Sequence, residues 1–210
     1  LRRTYLRPIT YRSIPTSSKG LQGVKRKGMR EQERREVLDQ LSYAVEELKR
    51  YLDTRLIPEV GTNIVYALPN ATRPEEVAAV AGRIVRLNRV PHPVGPLEFG
   101  ASDHMARAVL TAMRYDPEIR SVTNIRFHEA ILPILDDLML DVCTFDRSRE
   151  PPGIKTMDWG VASCCKDGVP DVIYDRGAWG KEAMIRIFGE DPGQVVRTLL
   201  AISKRCKEHP

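Results

Sequence analysis

Three short segments of this sequence hold side chains that could bind and transfer a charged group. The first is Phe99-Gly100-Ala101-Ser102-Asp103-His104. Small residues let the backbone come close to a ligand, and the free amides of a helix's first turn are donors to an anion. On this reading a helix opens with Asp103 as its N-cap, and His104 falls in the first turn facing whatever the loop holds. A capped helix with a surface histidine accounts for the same residues. The second segment runs from Asp171 through Asp175, Gly177 and Gly180 to Lys181 and Glu182. A strand ending at Asp175, followed by a glycine loop that delivers Lys181 to a helix start, suits a magnesium–phosphate site. The GxxxxGK[ST] spacing of a nucleotide loop is absent, and a plain strand–turn–helix is the alternative. The third set is arginine: Arg83 in Gly82-Arg83-Ile84-Val85-Arg86, and Arg126 in Asn124-Ile125-Arg126-Phe127. On a straight strand Arg83 and Arg86 face opposite sides. A strand arginine is ordinarily at the surface; a buried one needs an anionic partner, and phosphate is the obvious one.

Other constellations fail. There is no GxSxG, and His92, His128 and His209 lack partners at metal or triad spacing. Trp159 and Trp179 read as packing or loop anchors. Cys143, Cys164, Cys165 and Cys206 show no CxxC or Cys/His zinc pattern, so we expect free thiols in a reducing cytoplasm.

The 210 residues include 33 Lys+Arg and 28 Asp+Glu, a formal net charge of +5. The charge is uneven. Residues 1–28 contain eight basic side chains and no acidic one, so residues 29–210 carry a net of −3. The basic balance therefore belongs to one end and argues against a nucleic-acid-binding surface on the folded part. No apolar run approaches the length of a transmembrane helix.

The elements that must position these side chains follow from periodicity. Residues 1–28 are rich in Arg, Lys, Ser, Pro and Gly, and we expect a disordered extension. The first Met is Met29, behind Lys25-Arg26-Lys27-Gly28, and we expect translation to start there, with 1–28 not native. Residues 29–54 read as one amphipathic leader helix, with Leu38, Leu41, Val45, Leu48 and Leu52 on one stripe. The sequence leaves no room for a helix-turn-helix before Pro58. Residues 55–210 alternate. Strands are expected at Thr62–Leu68, Gly82–Asn88, Ser121–Phe127, Val142–Asp146 and Asp171–Asp175. Helices are expected at Asp103–Tyr115, Glu129–Leu140 (with Pro133 near its start), Lys181–Phe188 and Asp191–Lys207. This is an α/β or α+β pattern in one domain.

Taken in order, these segments resemble the ThiN-type thiamine-phosphate synthase domain. The resemblance rests on Ile57-Pro58-Glu59-Val60-Gly61-Thr62-Asn63, Gly82 to Arg86, Phe99 to His104 and Asn124-Ile125-Arg126. Phe145-Asp146-Arg147 and Pro170 to Asp175 through Gly180-Lys181-Glu182 complete it, and it covers residues 34–203. It implies a three-layer α/β/α sandwich of class II aldolase-like type with a mixed, largely antiparallel sheet. It also implies a reaction: hydroxymethylpyrimidine diphosphate and hydroxyethylthiazole phosphate give thiamine phosphate and pyrophosphate, with Mg2+. The family's essential Arg and His correspond to Arg83 and His104. Gly100, Ala101, Ser102, Asn63, Asn124, Arg126 and Lys181 are then expected to contact substrate, and Asp146, Asp171 and Asp175 to hold magnesium.

The resemblance implies phosphorylated small molecules as partners and a phosphomethylpyrimidine kinase in cis or in trans. It leaves a homodimer open. Asp103 stands where the family often has Ser, Phe127 where Tyr is common and Ala183 where Pro is frequent. The alternative carried by the resemblance is a non-catalytic ligand sensor in a thiamine-responsive regulator, which would tend to lack the Arg and His pair.

Overall fold

The computed structural model describes residues 18–208, apart from 152, 154 and 155. Its longest helix, α1 (Ser18–Tyr51), buries the expected stripe: Leu41 and Leu48 are wholly inaccessible, and Val37, Val45 and Leu52 are buried beside them. The helix starts well before Met29, so from residue 18 onward the expected disordered extension is helical; residues 1–17 lie outside the described residues. Asp53 ends it by accepting a hydrogen bond from the Arg55 amide and starting a 3-10 turn at Thr54–Leu56.

The chain then weaves a seven-stranded sheet. Its strands are β1 (Ile64–Ala67), β2 (Val77–Val80), β5 (Leu97–Phe99), β6 (Ser121–Arg126), β7 (Val142–Thr144), β8 (Val172–Asp175) and β9 (Met184–Gly189), in the spatial order β5-β2-β1-β6-β9-β8-β7. Every pairing is antiparallel except β7 with β8. A separate hairpin, β3 (Ile84–Leu87) and β4 (Val90–Pro93), turns through Asn88 and Arg89, both at positive φ. That is the geometry a two-residue hairpin with right-handed strand twist requires.

The central strands β1 and β9 are buried along their whole length, and a strand buried on both faces needs a layer on each side. One layer is α1 against α5 (Pro192–Glu208); the other is α2 (Asp103–Ala112) against α4 (Thr156–Cys164). The short α3 (Leu132–Asp137) carries Pro133 in its first turn, as expected, behind a 3-10 turn at Glu129–Ile131. The mixed, largely antiparallel sheet between helical layers is the arrangement expected.

Several expectations are corrected. Residues 181–188 do not form a helix; they enter β9, because Ile185 and Ile187 alternate with Arg186 and Phe188 at the strand period. Three strands escaped the pattern: β2 carries Ala78-Ala79, β4 carries Pro91 and Pro93, and β5 is three residues long. Helix α4 was also missed. The free-thiol expectation fails for one pair, since a disulfide joins Cys143 on β7 to Cys164 on α4. Cys165 remains a buried thiol, its pKa pushed up to about 11 by burial.

Leu48→Ala should lower stability by about 2–5 kcal/mol, because it leaves a cavity under α1. Tyr43→Ala, on the exposed side of the same helix, should change it by less than about 0.5 kcal/mol. Urea unfolding of both variants checks this; equal effects would mean that α1 does not pack on the domain.

Candidate active site

One cleft of about 250 Å³ opens between the start of β1, the turn before β3, the first turn of α2 and the β8–β9 connection. Among the described residues, Arg83, Arg147, Lys181 and Arg186 line it against one carboxylate, Glu182, and His104 stands among them. Six separate segments line the cleft, so the sheet order, not local sequence, assembles the site.

Arg83 is not on a strand but in the turn that precedes β3. Gly82 and Arg83 both have positive φ, 71° and 72°. A non-glycine residue held there costs on the order of 1 kcal/mol or more and persists only when its surroundings enforce it. Here the Arg83 amide donates to the Val80 carbonyl and its guanidinium donates to the Val60 carbonyl. Gly61 must stay small, because a Cβ at that position would lie 3.3 Å from the Arg83 Cβ.

His104 sits in the first turn of α2, as expected. The N-cap, however, is Ser102 in extended conformation, and Asp103 is the first helical residue. Burial within the cleft, and then the guanidinium charges of Arg186, Arg147 and Arg83, push the His104 pKa down to about 4; Asp103 opposes them. His104 is neutral at neutral pH and is a hydrogen-bond donor through one ring nitrogen only.

Lys181 reaches the cleft from a tight loop rather than a helix start. Gly177 makes the loop possible: its φ is 74°, and a Cβ there would fall 2.5 Å from the Lys181 carbonyl oxygen. The Lys181 ammonium pairs with Glu150 at 2.8 Å. Glu182 accepts from the Glu59 and Val60 amides and so fastens this loop to the segment before β1. Trp179, at the tip of the loop, is fully exposed and therefore anchors nothing, unlike Trp159, which meets Phe145 edge-on.

The remaining expected contacts divide. Ser102, Asn63 and Asn124 line the cleft, but both amides are engaged by backbone. The Asn63 side chain donates to the Val80 carbonyl and accepts from its amide; Asn124 accepts from the Asn63 amide and donates to the Gly61 carbonyl. They fix the cleft wall. Gly100 and Ala101 do not line it; Gly100, at φ 81°, turns the chain from β5 into α2, and Ala101 packs against the core. Arg126 lines a second cavity instead, beside Arg55, Phe127 and His128.

The three aspartates expected to hold magnesium are not brought together. Asp146 caps a 3-10 turn by accepting from the Ser148 amide, and Asp171 accepts from the Asp141 amide. Asp175 is wholly buried between Arg147, 2.9 Å away, and Arg186, 2.8 Å away. Among the described residues no group of three or more His, Cys, Asp or Glu side chains is placed to hold a metal ion. A cleft with four cations and one carboxylate does not fit a protein-held magnesium ion.

Sequence reasoning missed Arg147, Arg186 and Glu182. A signal for Arg186 existed: one arginine between isoleucines in a run that alternates as a strand. The rule that a buried strand arginine needs an anion, applied to Arg83 and Arg126, is met by Arg186.

The thiamine-phosphate synthase ThiN family model matches residues 40–201, most of the chain. The chain belongs to the ThiN family. It is 44% identical over 172 residues to a bifunctional thiamine biosynthesis protein ThiDN of Methanocaldococcus jannaschii, a match covering 80% of this chain and 40% of that one. It is 42% identical over 159 residues to the thiamine-phosphate synthase ThiN of Methanothermobacter thermautotrophicus, covering 72% and 84% of the two chains. A crystal structure of the C-terminal domain of phosphomethylpyrimidine kinase superposes with a TM-score of 0.76 at 42% identity, covering 80% of this chain and 99% of that one. The ThiN chain thus spans less than half the length of its bifunctional relative and nearly all of the solved domain. The Arg and His singled out from the ThiN motifs, far apart in sequence, meet in one cleft.

Because the folded state holds His104 neutral, the unfolded chain takes up a proton first as the pH falls. Stability should therefore be lost between about 6.5, the ordinary value, and about 4. Urea unfolding of the wild type and His104→Asn at about pH 7 and about pH 5 tests this: the variant should lose less stability on acidification. An NMR titration placing His104 near its ordinary value would contradict it.

Proposed function

We propose that this chain is a thiamine-phosphate synthase. It would join hydroxymethylpyrimidine diphosphate to hydroxyethylthiazole phosphate and release pyrophosphate. The observation that carries this reading is the convergence of Arg83 and His104 on a cleft whose charge is positive and whose histidine is neutral. The family membership and the enzyme names of both relatives support it. The sensor alternative finds no support in those relatives.

The chemistry asks for what the cleft supplies. The bond between the pyrimidine's methylene carbon and the diphosphate oxygen breaks, and its electron pair leaves with the diphosphate. The ring stabilises the carbocation, and the thiazole nitrogen, already nucleophilic, closes the new C–N bond. No strong base is needed. The protein's task is to hold two anionic substrates in line and to stabilise the charge that develops on the leaving group. Arg83 and Lys181 are the exposed cations at the cleft and suit the phosphate oxygens. His104 donates a hydrogen bond as the neutral imidazole. A bound diphosphate offsets the guanidinium charges that depress its pKa, so His104 becomes easier to protonate once the leaving group is present.

The bifunctional relative, and the solved domain named for a phosphomethylpyrimidine kinase, support a further part of the proposal: a kinase partner, in cis or in trans, that delivers the diphosphate substrate.

The assay is direct: incubate the chain with both substrates and Mg2+ and measure thiamine phosphate. Arg83→Ala and His104→Ala should each lower turnover by about a hundred- to a thousand-fold with an unchanged circular dichroism spectrum. A wild-type chain that binds thiamine phosphate but makes none would return the sensor reading.

A further inference from the structure

We propose that Arg147 and Arg186, both held by Asp175, form the floor of the cleft's anion subsite and receive the diphosphate of the pyrimidine substrate. The assignment of the ligand rests on the synthase reading; the anion subsite itself rests on the following geometry.

Asp175 ends β8 and is wholly buried, Arg186 on the neighbouring β9 is equally buried, and the Arg147 side chain is 8% exposed. Two guanidinium groups share one carboxylate, so the floor of the cleft carries one positive charge in excess. The carboxylate has little left to give. Its Oδ2 accepts from Arg186 Nη1 at 2.8 Å, and its Oδ1 accepts from the Gly177 amide at 2.9 Å. Arg147 Nε lies 2.9 Å from that same Oδ1 but without the alignment of a hydrogen bond. Arg186 Nε and Nη2 have no hydrogen-bond partner among the described residues.

Buried donors are almost always satisfied, and a buried unbalanced charge is worse than a buried neutral one. The protein offers no remedy from its own lining: Glu182, the one lining carboxylate, is engaged by the Glu59 and Val60 amides. The missing acceptor is therefore external, anionic and rich in oxygen. A diphosphate presents several acceptor oxygens to forked guanidinium donors, which is the pairing arginine favours. Asp175 acts as a positioning residue, holding both forks beneath the cleft, with the Phe145 ring 5.7 Å from the Arg186 guanidinium carbon. Arg83 and His104 then close on the anion from the mouth.

Inorganic pyrophosphate is the probe, titrated calorimetrically into the full chain, with inorganic phosphate as the comparison. The wild type should bind pyrophosphate more tightly than phosphate. Arg147→Gln should weaken pyrophosphate binding by about ten- to a hundred-fold, and Arg186→Met at least as much. Arg147→Gln should also raise the His104 pKa of the free protein, read by NMR, which a merely structural residue would not do. Arg186→Met removes a core side chain; should it fail to fold, Arg147→Gln decides alone. Wild-type pyrophosphate affinity and an unmoved His104 in Arg147→Gln would overturn the subsite, as would a wild type that binds no pyrophosphate. Product formation by the wild type separates the two readings. Synthesis with unaltered binding in Arg147→Gln sinks the subsite alone; arginine-dependent binding without synthesis sinks the synthase reading alone.

Discussion

The cleft is organised around a charge placed where a sheet would ordinarily tolerate none. Arg186 occupies an interior position of β9, opposite Asn124 on one side and Ile173 on the other, with no surface open to solvent. A guanidinium stays protonated in any such setting, so the fold must answer it. Asp175 is that answer, and the β8–β9 pairing puts it within reach. Once Asp175 is fixed, Arg147 is drawn in, Gly177 is tied back by its amide, and the loop carrying Lys181 and Glu182 is set. Burial and the charges of the same cluster, reaching across to α2, together keep His104 neutral.

That arrangement suits a reaction whose difficulty is leaving-group departure rather than proton abstraction. A site for enolisation would need a base with a raised or matched pKa. This cleft instead depresses its histidine, engages its carboxylates and is lined by four cations. Its electrostatics are preorganised before substrate arrives, which is the condition under which fixed dipoles and charges accelerate charge separation.

Much of the fold could be read from the chain. The stripe from Leu38 to Leu52, the Ser102–His104 helix start and the strands at 64–67, 121–126 and 172–175 each carry a local signature that the tertiary structure keeps. Arg83 and His104 were legible through motif order. What could not be read is anything set by which strands lie side by side. Asp175 looked like a metal ligand because a carboxylate at a strand end gives no sign of a cation eleven residues further along the chain; its partner Arg186 is close only through strand pairing. Arg126, expected to contact substrate beside Arg83, opens on a different cavity. Residues 181–188 were assigned the wrong element because a short apolar run fits both periods, and only neighbouring strands on both edges decide between them.

The backbone at Arg83 has a consequence for what this position costs. A residue at φ 72° is one that glycine would occupy at lower cost, so the fold alone would favour losing this side chain. On the proposed synthase reading, backbone strain and the role of this side chain pull on position 83 in opposite directions. Glycine there would relieve the backbone strain but lose the guanidinium's hydrogen bond to the Val60 carbonyl. If turnover depends on Arg83, the protein therefore holds a strained residue in its cleft for the sake of its charge.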